Sequence, residues 1–297
     1  MTAIREDLEA RSGSATALLR TVVGSTLRPI GDWMSAAGAV ELMGALGFPA
    51  ATARSSLARL CSRGVLIREP RGTVAGYALD PEAVPMLERG DARIFGRPAS
   101  ASHWCLVSFS FPEHQRAQRH QLRRRLAALG CGTVADGLWI GPERLEPELA
   151  EVAAEFGADL FVGARPADVA AGVARWYDLD AIRALHDSFI ARFGSATAPG
   201  DDRADGRSDG RADDGADGTS DAEAFALWIR VLDEWRVIPY RDPGLPAGAL
   251  PPGWPGEASA ALFARLHRDL GPRAIAFASR VATAAGAEAR DPGTPGS

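Results

Sequence analysis

Between residues 14 and 79 the apolar residues change period, and that change restricts the fold more than any other feature of the chain. Over 14–28, Leu18, Leu19, Val22, Val23 and Leu27 recur at the spacing of one helical face. Arg28-Pro29 closes the segment, because the residue before a proline is steered away from the helical region. Ser35 is placed to cap a second helix ending near Leu46, with Gly47 just behind it. Pro49 opens a third helix, which Gly64 stops beyond Ser62. There the helical spacing ends. Val65-Leu66-Ile67 and residues 74–79 read as two short strands joined by a turn at Arg71-Gly72. Three short helices followed by a two-stranded hairpin predict a winged helix-turn-helix.

The rest of the chain follows a different order. Residues 104–111 predict a strand, 113–129 a helix, 133–135 and 138–140 two strands, 145–156 a helix and 160–162 a last strand. This βαββαβ order is that of a ferredoxin-like unit. Helices are expected at 167–176 and 180–193. Segment 196–220 has no apolar period and reads as a disordered insertion. Helical spacing returns at 221–236, and a proline-rich loop at 242–255 precedes two further helices, 256–270 and 272–285. The expected class is α+β, in three parts: residues 14–98, a winged helix with connector; 99–165, the ferredoxin-like unit; and 166–285, a helical domain carrying the insertion.

Charge distribution says more than net charge. The chain carries −5 overall, yet nine acidic residues and only three arginines fall within 201–223. Between residues 14 and 98, ten arginines face seven acids, so a locally basic module stands beside an acidic segment. Lysine and asparagine are absent, so all 33 basic residues are arginine. The three cysteines, Cys61, Cys105 and Cys131, have no paired spacing for zinc or a disulfide framework. Cys61 and Cys105 read as small buried hydrophobes. No apolar run approaches the ~18 residues of a membrane span, and the first nine residues carry charge where a signal peptide needs an apolar core. The expected location is the cytoplasm, with no membrane partner.

In the third helix Ala53, Leu57, Leu60 and Cys61 share one face, and Thr52, Ser55, Arg59 and Ser62 fall opposite, with Arg54 at the edge of the apolar stripe. Arg59 can fork onto a guanine edge or clamp a phosphate, and Thr52 and Ser55 suit contacts near the helix start. Arg63 follows the helix, and Arg68 and Arg71 belong to the wing. These seven residues (Thr52, Arg54, Ser55, Arg59, Arg63, Arg68 and Arg71) are the expected contacts to double-stranded operator DNA. A second cluster, Arg116, Arg119, Arg123, Arg124 and Arg125, reads as a solvated face paired with carboxylates such as Glu113. His103, His114 and His120 lack ligand spacing, and His186 and His267 sit on amphipathic helices at surface or half-buried positions. No phosphate-binding glycine loop occurs. The expectation is a chain without catalytic residues, metal or cofactor.

Five segments in order resemble the PaaX-like repressors of phenylacetic acid catabolism. They are Ala50 to Leu60 with Arg63-Gly64-Val65-Leu66; Arg93-Ile94-Phe95-Gly96; Trp104 with Phe111-Pro112-Glu113, Arg116, Arg119, Leu122-Arg123 and Leu126; Gly137-Leu138-Trp139-Ile140-Gly141-Pro142; and Asp242-Pro243 with Leu245-Pro246, Leu250-Pro251 and Trp254-Pro255-Gly256. The resemblance implies a homodimeric repressor whose hold on DNA is relieved by an aryl-acyl-CoA thioester. It also implies a central unit like the Cas2 ribonuclease fold. The wing tip, Pro70 to Tyr77, is less basic than the family pattern, and the acidic insertion is not part of it. Two other readings remain: a metal-dependent nuclease on the central unit, and a winged-helix protein–protein adaptor. The nuclease needs a carboxylate at the end of the first strand, where this chain has Ser108-Phe109-Ser110-Phe111. The adaptor would lack the steep salt dependence of DNA binding.

Overall fold

The computed structural model describes residues 12–96, 103–196 and 214–284. In chain order the elements are α1 (Ala15–Val22), which runs on as a π-helical turn (Val23–Leu27); β1 (Trp33–Ser35); α2 (Ala36–Ala45); α3 (Ala50–Ser62); β2 (Leu66–Arg68); β3 (Gly76–Leu79); and α4 (Val84–Phe95). Then come β4 (Trp104–Ser108), α5 (Arg116–Ala128), β5 (Gly132–Ala135), β6 (Leu138–Pro142), α6 (Glu146–Phe156), β7 (Asp159–Ala164), α7 (Val169–Trp176) and α8 (Leu179–Phe193). The last are α9 (Asp214–Trp235), α10 (Ile238–Arg241) and α11 (Gly256–Ala284). Among the described residues two compact units form: one from 12–89, 193–196, 214–234 and 261–284, the other from 90–96, 103–192 and 235–260.

In the first unit, Ser14 caps α1 by accepting from the Ala17 amide, and Ser35 caps α2 by accepting from the Gly38 amide. The chain turns by 117° between α2 and α3. The turn is four residues long, from Leu46 to Pro49, and contains Gly47 at φ 89°. An angle near 90–120° across a short glycine-bearing turn is the geometry of a helix-turn-helix. Leu19, Val22, Leu42, Met43, Leu57 and Leu60 fill the space between the three helices. The expected hairpin forms between β2 and β3, with Leu66 opposite Leu79, and a third strand that was not expected joins it. The order is β1-β3-β2, with Trp33 opposite Ala78 and Ser35 opposite Gly76. Three residues are too few to show a strand period, so β1 reads in the sequence as a connector.

Helices from the end of the chain complete this unit. Asp233 of α9 is fully buried and accepts from Ser12 Oγ (2.7 Å), the Gly13 amide (2.8 Å) and Thr21 Oγ1 (3.0 Å). Arg230 donates to the Leu46 carbonyl at 3.0 Å. At Gly38 the backbone of α11 approaches so closely that a Cβ would stand 2.6 Å from the Val281 oxygen and 2.9 Å from the Ala282 Cα.

The sequence expectation of two final helices is corrected to one of 29 residues with Pro272 inside it. Proline removes one helical hydrogen bond and crowds the preceding turn. The buried row Phe263, Leu266, Leu270, Ala274, Phe277, Ala278 and Val281 nevertheless continues across it and carries the helix through. Helix α9 also begins at Asp214, within the segment expected to be disordered; residues 197–213 of that segment lie outside the described residues.

The second unit holds the expected βαββαβ succession as an antiparallel sheet of order β5-β6-β4-β7. Cys105, Val107 and Trp139 pack with Leu122 and Leu126 of α5 and Leu149 and Val152 of α6. Trp104 and Ile140 join a separate cluster with Val173, Tyr177, Ile182 and Leu245, so the residues beyond β7 give the sheet a second apolar layer. Successive residues of one strand thus enter different clusters, as the two-residue period requires. His186 is buried at 3% exposure, against the surface or half-buried position expected, because its ring has partners on both sides. Its Nδ1 lies 2.6 Å from Ser259 Oγ and its Nε2 lies 3.0 Å from Asp242 Oδ2. Among the described residues no single helix is long and apolar enough to cross a membrane.

Candidate nucleic-acid interface

Helix α3 begins directly after Pro49 without a side-chain cap and runs for 13 residues that include no acid. Its buried residues are Ala53, Ser56, Leu57 and Leu60. Ser56 is polar, yet it is 1% exposed because the Thr16 hydroxyl of α1 stands 3.3 Å from its own. Cys61, expected in the apolar stripe, is only half-buried. Burial raises its thiol pKa, and the Arg68 charge opposes that shift.

Exchanging Cys61 for Ser56 rotates the buried sector by roughly 35°, at about 100° per residue. The centre of the outward face is therefore Ala51, Ser55, Ala58 and Ser62, not Arg59. Arg54 flanks this small-residue strip on one side, and Arg59 and Arg63 flank it on the other. Arg54, Ser55, Arg59 and Arg63 are exposed, and Thr52 is half-buried. Ser55 donates its hydroxyl proton to the Thr52 carbonyl (2.9 Å) and Ser62 to the Arg59 carbonyl (2.9 Å), so each turns an accepting oxygen outward. Arg59 rests against α1, its Nη1 donating to Thr16 Oγ1 at 3.4 Å.

Arg68 is exposed on β2, and Arg71 is exposed at the wing turn, where it bridges to Val74. Arg71 is not a loose cation. Its guanidinium lies 4.9 Å from the centre of the Trp33 ring, and its Nε is 3.2 Å from Glu69 Oε1. Trp33 in turn donates its indole proton to the Glu69 carbonyl at 2.8 Å. The Trp33 ring covers Gly76 so tightly that a Cβ there would meet it at 2.3 Å. The structure thus brings Thr52, Arg54, Ser55, Arg59 and Arg63 together on one helix, and holds Arg71 within the wing by stacking and pairing. Sequence reasoning missed Trp33, Ser56 and the alanine centre of the face; the one signal for Ser56 was a hydroxyl partner 40 residues upstream.

On the second unit, Arg119 pairs with Glu113, Arg123 with Asp136 and Arg125 with Glu155. Those three pairings fit the solvated, ion-paired face expected of α5. Strand β4 ends at Ser108 and brings no carboxylate to its end.

Comparison with known proteins follows this layout. Three family models match in chain order: PaaX-like protein at residues 14–83, PaaX protein central Cas2-like domain at 97–172, and PaaX-like protein C-terminal domain at 177–280. The transcriptional repressor PaaX of Escherichia coli (strain K12) is 22% identical over 304 residues, which is 99% of this chain and 92% of that protein. Among solved structures, the uncharacterized protein Rv0674 from Mycobacterium tuberculosis superposes with a TM-score of 0.55 at 22% identity, covering 87% of this chain and 97% of that one. With all three of its domains matched in order, this chain belongs to the PaaX-like proteins.

Proposed function

We propose that this chain is a transcriptional repressor that reads operator DNA with α3. The observation that carries the reading is the outward face of α3, a strip of alanine and serine between arginine flanks. Small side chains let the helix axis approach the floor of a major groove. There Ala51 and Ala58 can meet thymine methyl groups, and Ser55 can accept from a base amino group. Arg54 on one side and Arg59 and Arg63 on the other then reach toward the two phosphate walls. Thr52 lies beside the helix start, and Arg68 and Arg71 are the wing's contacts, Arg71 the weaker because it must leave Trp33 and Glu69.

Similarity to the E. coli repressor supports the regulatory role. By family resemblance the acting form is a homodimer, which would set two α3 helices roughly 34–36 Å apart on a palindromic site. Release would follow if an aryl-acyl-CoA binds the DNA-incompetent form more tightly.

Fluorescence anisotropy on the upstream duplex and on a scrambled duplex, at two salt concentrations, tests the reading. Arg54→Ala and Arg59→Ala should each lower the slope of log affinity against log salt by about 0.9, on both duplexes. Ala58→Leu should reduce discrimination between the duplexes while leaving the salt slope unchanged. Equal weak binding to both duplexes by the unaltered protein would refute operator recognition and favour a protein-binding adaptor.

A further inference from the structure

The second unit contains two arginines that DNA recognition does not use. Arg93, at the end of α4, has a side chain only 5% exposed. Its Nε donates to the Pro239 carbonyl, its Nη2 donates to the Leu129 carbonyl, and its plane stacks on Tyr240 at 4.3 Å. Its Nη1 is buried with no hydrogen-bond partner among the described residues; the nearest acid, Glu148 Oε1, stands off at 3.8 Å. Arg144, just ahead of α6, is half-buried and donates its Nε to the Pro243 carbonyl at 2.6 Å. Burial, and then the nearby charge of Arg93, push the Arg144 pKa down to about 10.

The charges around this pair do not balance. Glu148 is the acid that acts on both arginines, and its carboxylate is ion-paired to Arg93 at 3.8 Å without a hydrogen bond to it. Asp242 also faces Arg144, but it already accepts from His186 Nε2 and from the Gly244 and Leu245 amides. Two guanidinium groups therefore share essentially one carboxylate that hydrogen bonds have not already taken, and it stands beyond hydrogen-bond distance of the unused Nη1. A buried donor left unpaired and a surplus positive charge are both costly, and one oxyanion relieves both.

We infer that Arg93 and Arg144 form an internal anion-binding site, taking a singly charged oxyanion of carboxylate or phosphate type in competition with Glu148. Arg93 supplies Nη1 from a fixed, stacked fork. Arg144 supplies its terminal nitrogens from the partly open side. The site draws on α4, α6 and the 239–245 segment, so its occupancy ties the end of the connector helix to the proline-rich loop. It stands whether or not the chain grips an operator.

The test is thermal unfolding of the full chain with sodium phosphate, sodium acetate and coenzyme A, each against sodium chloride at equal ionic strength. The expected result is a rise in Tm of about 5 °C or more at a hundredfold excess over Kd. A rise with acetate assigns a carboxylate ligand; a rise with phosphate or coenzyme A alone assigns a phosphate group. Arg144→Gln should abolish the rise while far-ultraviolet circular dichroism stays native. Glu148→Gln should lower the half-saturating concentration roughly tenfold, because it removes the competing charge. A merely structural role for the arginines gives no such tightening, and this variant decides the matter should Arg144→Gln fail to fold. No rise above the chloride control with any probe, or an equal rise in Arg144→Gln, overturns the site. Operator affinity is measured separately, so its failure is distinguishable from failure here.

Discussion

Asp233 is the sharpest place to perturb the first unit. Its carboxylate joins α9 to the start of α1 through three bonds of 2.7 to 3.0 Å. Each bond to an ionised acceptor is worth roughly 1.5–3 kcal/mol net. Asp233→Ala does not strand the donors, however. Ser12 and Gly13 are exposed enough for water to replace the carboxylate, and Thr21 Oγ1 already stands 3.2 Å from the Ala17 carbonyl and can donate there. The expected cost is therefore about 2–4 kcal/mol, well below the sum of the three.

Asp233→Asn should cost about 1 kcal/mol. Its oxygen can face Ser12 and Gly13, and its amide can donate to Thr21 Oγ1, which then donates to Ala17. Urea unfolding by circular dichroism measures both variants, with hydrogen exchange of the α1 peptide as the local reading. For Asp233→Ala, exchange in α1 should quicken by at least about thirtyfold. A cost below about 1 kcal/mol for alanine, or equal costs for the two variants, would refute this account of the carboxylate.

Three further outcomes are expected. Gly38→Ala should destabilise by about 1–3 kcal/mol in the same unfolding assay, since its methyl would overlap the Val281–Ala282 backbone; a neutral result would contradict that close approach. Burial works to raise the Asp242 pKa, but hydrogen bonding to His186, the charge of His186 and the Gly244 and Leu245 amides outweigh it and hold it low. That contribution is full above the unfolded value of about 3.9 and is lost as pH falls through the lower folded pKa, so Asp242→Asn should flatten the acid limb of Tm against pH. Burial raises the Cys131 thiol to about 12 and the Cys105 thiol to about 11, so iodoacetamide at pH 8 should label half-buried Cys61 first; early labelling of Cys131 would show that the central unit opens.

Local chemistry made much of this fold legible. Ser35 caps α2 and Pro49 precedes α3 where the sequence placed them, because caps and helix stops act within a few residues. The alternating strands of the second unit were readable for the same reason. What was missed depends on distant partners. Ser56 is buried by Thr16, and that contact rotates the face of α3. Gly38 is set by Val281, and Pro272 stays helical through a buried row on both sides. The proposed anion site was not legible because Arg93 and Arg144 lie 51 positions apart, and the segment holding Arg93 gave no sign of that partner.

The close approach at Gly38 also has a consequence in time. The elements that would read DNA emerge from the ribosome first, yet the backbone that α2 packs against, at Val281 and Ala282, is made only after the whole of the second unit. A nascent or prematurely terminated chain can form α1 to α3 but not their support. The first unit is therefore complete only once Ala282 has been synthesised, and a product truncated before it would carry an unsupported reading head.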